Sequence, residues 1–186
     1  MLHIKRAKDN RVVKCIVHRI ADIPGGVTVS VANLGGNDLF EGTPIGVGAN
    51  GFVVCKTAQI VTKAEATATQ YEVAKGHHFK VGDRFATDAC NGQEITNIDK
   101  SNPAKDVITL SATLGAVVNP NTCAFESSGE NKTLKVVPGA IVGSNMSVEP
   151  GENLFVDAWV MGVVRKSNAP IVNKAIEDAL KNVAYI

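Results

Sequence analysis

Short apolar stretches, each interrupted after a few residues by glycine, proline or asparagine, constrain the fold of this 186-residue chain more than any other feature. Val27 to Val31 alternates apolar and polar side chains strictly, which is typical of a strand with one buried face. Asn50-Gly51 is the sharpest turn signal, because both residue types tolerate the positive φ of a type I′ hairpin. We therefore expect a strand on each side of residues 50 and 51 and a mainly β protein.

Changes in composition divide the chain into three parts. Residues 1–20 are interpreted as an N-terminal arm that enters a strand. Residues 71–126 form a compact run of short strands, bounded by an Ala/Thr-rich segment before it and by Ser127 to Lys132 after it. We predict a small β-barrel at 71–126, inserted into a discontinuous β-barrel or sandwich-like domain made of residues 21–70 and 127–186.

The C-terminal region departs from the β pattern. Ile171, Ile176 and Leu180 recur at roughly helical spacing, which predicts a short amphipathic α-helix. Asn168 is the candidate N-cap, and Pro170 suits the first turn. The fold class is therefore mainly β with a short C-terminal helix.

Charge and hydropathy exclude several classes of partner. The chain has 19 Lys and Arg against 18 Asp and Glu, scattered along the sequence, so nothing predicts binding to nucleic acid or to an anionic membrane. Apolar runs such as Trp159 to Val164 are far shorter than the ~20 residues that span a bilayer. The first residues also lack the apolar core of a signal peptide. We expect a soluble protein that is made in a cytoplasm.

Cysteine and histidine spacing indicates no metal site and no cofactor. The four cysteines are far apart and form no CxxC pair, which predicts reduced thiols; Cys15 and Cys55 are expected to behave as small hydrophobes. A disulfide framework is the less favoured alternative. His77 and His78 are adjacent, and neighbours on a strand point to opposite faces, so we expect at most one of them to face inward.

The sequence carries no motif that predicts an enzyme: it has no Gly-x-Ser-x-Gly elbow, His-Glu-x-x-His pair or Cys-His signature. The glycines from Gly42 to Gly51 lack the Lys-Ser/Thr of a phosphate-binding loop and lie where strands must turn. Glu149, Glu152 and Asp157 could in principle serve a hydrolase. A polar turn followed by a strand accounts for them better.

Several segments, taken in their order along the chain, resemble head fibre and head decoration proteins of tailed phages and prophages of gut bacteria. They are Leu39 to Gly51, Val73 to Asp83, Asp106 to Leu110, and Pro150 to Val156 with Gly162 to Arg165. The resemblance runs from about residue 35 to the C-terminus. It implies a virion protein, often a homotrimer, that sits on the lattice of the major capsid protein and stabilises it or presents a binding surface. It brings no catalytic residues.

A fibre would carry a heptad, collagen or β-helical repeat, and this chain has none. A compact knob attached through the N-terminal arm fits the sequence better. Within the arm, Lys5, Arg6, Lys8 and Arg11 are the candidate contacts with the capsid or with a neighbouring subunit. An edge strand with solvated charges is the alternative interpretation of these residues, and a carbohydrate or cell-surface binding β module is the alternative function.

Overall fold

A computed structural model of the protein describes residues 14–49, 51–149 and 151–186. Strands make up 43% of the structure and helix 5%, so the fold is mainly β, as predicted. Near the C-terminus lies a short helix, α1 (Lys174–Ala179). The strands are β1 (Ile16–Asp22), β2 (Val27–Val29), β3 (Asp38–Leu39), β4 (Pro44–Gly48), β5 (Gly51–Val54), β6 (Thr57–Gln59), β7 (Gln70–Ala74), β8 (Arg84–Thr87), β9 (Gln93–Asp99), β10 (Lys105–Leu110), β11 (Cys123–Glu126), β12 (Ala140–Val142), β13 (Met146–Ser147), β14 (Leu154–Val156), β15 (Ala158–Val164) and β16 (Val183–Tyr185).

Eight strands form a curled, half-barrel sheet in the order β1-β15-β12-β4-β5-β2-β14, with β16 also paired to β15. β1 continues into β2, and β14 continues into β15. These two continuous segments, which we call ribbons, run antiparallel to each other, since Asp22 pairs with Trp159 and Val27 pairs with Val156. Both ribbons bend between these pairs. Gly26 lies at the bend with φ of +69°, and a Cβ there would lie 2.7 Å from the Val156 carbonyl oxygen, so the bend requires glycine. We call this sheet, with α1 and the short β3–β13 pair, the first barrel.

The first barrel buries apolar side chains on both faces of its sheet. Val29 and Val142 belong to one cluster, whereas Ile141 packs with Ile176 and Leu180 in another. Ile141 and Val142 are neighbours on one strand, and their side chains therefore point to opposite faces. The C-terminal helix covers the Ile141 face.

The C-terminal helix is present, but the predicted N-cap Asn168 is wrong. The N-cap is Asn173, whose side-chain oxygen accepts the backbone N–H of Ile176. Asn168 ends a 3₁₀ turn, and Ala169 after it is extended. A residue that precedes proline disfavours the helical conformation, so α1 begins only after Pro170.

Six strands form the second barrel, in the order β6-β11-β8-β9-β10-β7. An antiparallel bridge between Ile60 and Val73 brings the two end strands together and closes the ring. This sheet begins at Thr57, earlier than the predicted insertion at residue 71, because the Ala/Thr-rich segment supplies β6 and the closing bridge. Large side chains with no solvent exposure fill the interior, among them Tyr71, Phe79, Phe85, Ile95 and Ile108.

The predicted hairpin around residues 50 and 51 is confirmed. β4 pairs antiparallel with β5, and Gly48 lies opposite Gly51. Gly51 has φ of +110° and already belongs to β5, so the second strand begins one position earlier than predicted. Asn50 itself lies outside the described residues.

The chain ends on its own first barrel, because β16 adds in parallel to β15. The apolar tail from Val183 to Ile186 therefore docks on its own subunit. Within the described ranges, no helix combines the length and the apolar character needed to cross a membrane.

Candidate functional site

The chain passes from the first barrel to the second at Lys56 and returns at Glu126, whose backbone N–H donates to the Lys56 carbonyl oxygen at 3.1 Å. The Lys56 side chain is 4% exposed, and its Nζ lies 2.6 Å from Asp83 Oδ2 and 3.6 Å from Glu126 Oε2. Asp83 Oδ2 also accepts the backbone N–H of Lys80 at 2.7 Å. Glu126 Oε1 accepts Lys135 Nζ at 2.5 Å. We call Lys56, Asp83 and Glu126 the neck triad.

The neck triad places charged groups where water is largely excluded. Burial raises the pKa of the Glu126 carboxyl, while Lys135 and Lys56 act in the opposite direction. Desolvation of a buried ion pair can cost more than the attraction between its charges returns. The triad therefore fixes how the two barrels join, and we do not count it as a source of stability.

His77 lies after β7, at the junction of the two barrels. Its Nδ1 accepts the backbone N–H of Phe79 at 3.2 Å, and its Nε2 lies 3.1 Å from Asp106 Oδ2. Burial lowers the pKa of His77 to about 4, although Asp106 opposes this effect. Because both ring nitrogens face protein groups, His77 is not placed to exchange a proton with a substrate.

His78 is buried as well, which corrects the prediction that at most one of the two histidines faces inward. That prediction assumed a strand, but residues 77–80 have no strand conformation, so the alternation of faces does not apply. The ring packs against Gly36, where a Cβ would lie 2.9 Å from His78 Nδ1. Burial lowers the pKa of His78 to about 4. In the parts of the chain that the structure describes, no group of three or more His, Cys, Asp or Glu side chains could hold a metal ion.

A cleft of about 280 Å³ lies between the two barrels. Phe40 and Thr43 line it from the first barrel, and Pro170 lines it from the segment before α1. Lys75, a charged side chain in its wall, pairs with Asp106. Because Asp106 neutralises Lys75, the cleft would recognise a ligand by its shape and by small polar groups rather than by its charge.

The four cysteines are buried thiols, which confirms the preferred prediction over a disulfide framework. Burial raises the pKa of Cys55 to about 12, and the charge of Glu126 adds to the shift. Burial also raises the pKa of Cys123. Because the thiolate is the reactive form, these two side chains are protonated and inert as nucleophiles at neutral pH.

The acidic residues near Pro150 lie in different surroundings. Glu149 and Glu152 are exposed on a turn. Asp157 is half-buried: its Oδ1 accepts the Ser144 hydroxyl at 2.7 Å, and its Oδ2 accepts Trp159 Nε1–H at 3.3 Å. A glycosidase needs two carboxyl groups that flank one bond, and we assign these three residues no joint catalytic role.

Trp159 is covered by a cation. The Arg19 guanidinium carbon lies 5.3 Å from the centre of the indole ring, within the range of a cation–π contact. Arg19 also donates to Glu41 Oε1 at 3.0 Å and to the Gly143 carbonyl oxygen at 2.5 Å. This cluster ties β1 to the segments around Glu41 and Gly143, and the guanidinium covers one face of the Trp159 ring.

β1 presents two apolar side chains outward. Within the described residues it pairs with β15 alone, so it is an edge of the open sheet. Its register with β15 shifts at Val17 and again at Ile20, which makes each of them the extra residue of a β-bulge. Their exposed fractions are 52% and 53%. Bulges discourage strand addition at an edge and redirect side chains, and we call Val17 and Ile20 the bulge pair.

The predicted contact residues Lys5, Arg6, Lys8 and Arg11 lie outside the described residues. Sequence reasoning missed the bulge pair, which lies in the strand at the end of the predicted arm, after its four basic residues. A signal for it exists in the imperfect alternation from Val12 to Ile20, where Ile16-Val17 and His18-Arg19 each place two side chains of the same kind in succession. Such breaks within an edge strand indicate bulges.

No protein-family model, curated protein or solved structure matches this chain. Its fold and surface define a two-barrel β protein. The histidines and cysteines of the described residues, apart from His18 on β1, are buried, and apolar side chains are exposed at an edge of its open sheet.

Proposed function

We propose that this chain is a structural subunit that decorates the outside of a tailed-phage capsid as a homo-oligomer, with a trimer as the expected form. The bulge pair is the observation that carries the proposal. The bulges hinder the addition of another strand at this edge. Its exposed apolar side chains are therefore suited to packing against the surface of another folded subunit. The ordered resemblance to head decoration proteins points to the same role.

The opposite edge of the same sheet supports self-association. β14 pairs with β2 alone in the described part of the chain, and its Phe155 is 62% exposed. Contact between two different edges of identical subunits is heterologous. Such contacts generate a closed ring when the rotation from one subunit to the next divides a full turn evenly. We therefore expect β1 of one copy to pack near β14 of the next copy.

The aromatic side chains give less support to the alternative, a carbohydrate-binding module. Stacking on sugar rings requires flat aromatic faces that are open to solvent. Tyr71, Phe79, Phe85 and Phe125 are buried in the structure, and Arg19 lies over the ring of Trp159. Among the aromatic residues that the structure describes, Phe155 is the one that is largely exposed, and a single ring does not form a platform.

The test replaces the bulge pair with lysines, Val17→Lys and Ile20→Lys, in the full chain. The matched control is Val81→Lys, because Val81 is 62% exposed on a turn of the second barrel. We expect light scattering after size exclusion to show an oligomer for the wild type and the control, and a monomer for the bulge-pair variant. Binding to capsids that lack the protein should weaken at least about tenfold for the bulge-pair variant alone.

A wild-type chain that is monomeric and does not bind capsids overturns the proposal. A bulge-pair variant that assembles and binds like the wild type removes β1 as the contact. Binding on a glycan array without capsid binding would favour the carbohydrate-binding alternative.

A further inference from the structure

Among the ion pairs of the described residues that involve lysine, those of the neck triad are the ones in which the lysine is buried. The exposed fractions of its side chains are 4% for Lys56, 12% for Asp83 and 4% for Glu126. In the Lys75–Asp106 pair, by comparison, the lysine is 37% exposed. Charged groups so far from solvent bear a desolvation cost, and a reaction that removes two of the charges would relieve it.

We propose that Lys56 and Asp83 condense within the folded chain to form an isopeptide bond, with Glu126 as the proton relay. The bond would be an internal modification that links two segments of one subunit. It stands independently of the proposed role on a capsid, since it depends only on the geometry of the neck triad.

The reaction consumes no reagent from outside the protein. Within the ion pair, the Lys56 ammonium passes a proton to the Asp83 carboxylate, which leaves a neutral amine beside a carboxylic acid. The amine lone pair attacks Asp83 Cγ and forms the C–N bond. Glu126 takes a proton from the attacking nitrogen and delivers it to the departing hydroxyl, so that a Cγ–O bond breaks and water leaves. An ammonium and a carboxylate thus become an amide and one water, and Glu126 is regenerated.

The fold holds each participant in place. Lys56 Nζ lies 2.6 Å from the Asp83 carboxylate, so the two groups are already neighbours and little orientational entropy is left to lose. Asp83 Oδ2 also accepts the backbone N–H of Lys80 at 2.7 Å, so a second hydrogen bond fixes the orientation of the carboxyl group toward the amine.

Glu126 is held from two directions. Its backbone N–H donates to the carbonyl oxygen of Lys56 at 3.1 Å, which keeps the relay beside the nucleophile. Its Oε1 accepts Lys135 Nζ at 2.5 Å, and its Oε2 faces Lys56 Nζ at 3.6 Å. One carboxylate oxygen is thus anchored, and the other faces the reacting nitrogen.

The bond would close a covalent loop between residues that are 27 positions apart. Lys56 precedes the first strand of the second barrel, and Asp83 precedes β8. A cross-link of this kind restricts the unfolded chain and stabilises the native state in the manner of a disulfide. It would reinforce the junction without needing an oxidising compartment.

The experiment measures the intact mass of the purified full chain, denatured after prolonged incubation in the folded state. The wild type is expected to be lighter than its sequence mass by one water. Tryptic digestion should yield a branched peptide that contains Lys56 and Asp83, with no cleavage after Lys56. Cleavage after Lys75 and Lys135 serves as the internal control.

Two variants assign the roles. Glu126→Gln keeps the shape of the side chain but removes the proton acceptor, and we expect its full sequence mass. Asp106→Asn alters the more exposed Lys75 pair and should retain the loss of water. A wild type that remains at its sequence mass overturns the proposal whether or not the variants fold, and so does a loss of water that maps to another pair of residues.

Discussion

In the second barrel the bridge between Ile60 and Val73 gives every strand two neighbours, whereas the sheet of the first barrel ends in β1 and β14. The first barrel protects its β1 edge with bulges and leaves Val17 and Ile20 exposed. Closure removes the edges at which another chain could add. An open sheet keeps surfaces that can meet another subunit, so the two barrels are suited to different roles.

Their interiors differ as well. Aromatic rings pack against one another inside the second barrel: the ring centres of Phe79 and Phe85 are 5.4 Å apart, and those of Tyr71 and Phe85 are 5.7 Å apart. The first barrel relies on smaller aliphatic side chains such as Val29 and Ile141, which are divided between two faces. Truncating one aromatic side chain should therefore destabilise the second barrel more than most single substitutions destabilise the first.

The largest effect is expected for Phe85→Ala, which breaks the aromatic cluster. Phe85 has no solvent exposure and touches two other rings, so its removal leaves a cavity and should lower the free energy of unfolding by about 3–5 kcal/mol. Urea unfolding followed by far-UV circular dichroism measures the loss. Trp159, the only tryptophan, reports on the first barrel by its fluorescence in the same titration.

The matched control is Phe155→Ala on the exposed edge of the first barrel. Both Phe→Ala variants are compared in the monomeric background Val17→Lys and Ile20→Lys, where Phe155→Ala should change stability by less than about 0.5 kcal/mol. A Trp159 transition that shifts together with the circular dichroism signal would show that the barrels unfold as one unit. A Trp159 transition that stays in place would show that the second barrel unfolds by itself. Equal losses for the two Phe→Ala variants would contradict the comparison.

Acid should weaken the junction between the barrels. His77 and His78 have pKa values of about 4 in the folded protein, below the ordinary value of 6.5, mainly because burial disfavours their charged forms. The unfolded chain then binds protons that the folded chain does not. The free energy of unfolding should therefore fall as the pH drops from about 6.5 to about 4, by on the order of 2 kcal/mol per histidine.

Urea unfolding at a series of pH values tests this dependence. His78→Gln should reduce the slope of stability against pH, because it removes one of the two buried imidazoles. Protonation of Glu126 has the opposite effect on the free energy of unfolding at low pH. Because burial raises the pKa of its carboxyl, the folded chain holds this proton more tightly than the unfolded chain does. A wild-type stability that stays constant between these pH values would contradict the buried, neutral state of the two histidines.

The smallest effect is expected for Asn173→Ala, at the start of the helix that covers the first barrel. The variant loses the cap to the Ile176 N–H and the hydrogen bond from Asn173 Nδ2 to Asp88 Oδ1, which is 2.6 Å long. Stability should drop by about 1 kcal/mol, measured by thermal or urea unfolding. Asn168→Ala, at the mistaken cap position, should change it by less than about 0.5 kcal/mol. A larger loss at Asn168 than at Asn173 would contradict this assignment of the cap.

Local patterns predicted the elements that depend on neighbouring residues. Turn chemistry at Asn50-Gly51 and strict alternation from Val27 predicted β4, β5 and β2, because both signals act within a few residues. The helix was predicted by spacing, but its start was misplaced, since two asparagines competed for the cap and the conformation before Pro170 decided between them.

The candidate site was less accessible from the sequence. Lys56, Asp83 and Glu126 are far apart in the chain and carry no shared motif, and only the closure of the second barrel brings them together. The burial of both His77 and His78 likewise depends on an irregular segment that packs against Gly36. Long-range contacts of this kind leave no periodic signal in either partner.

The sequence by itself determined that this protein is built from short strands joined by tight turns, because alternation and turn propensity are properties of adjacent residues. Only the tertiary structure decided which strands close into a ring, which edge stays open with its bulge pair, and which charged groups meet at the neck. Those outcomes depend on which distant segments bury their apolar faces against each other, and that competition is settled by packing over the whole chain.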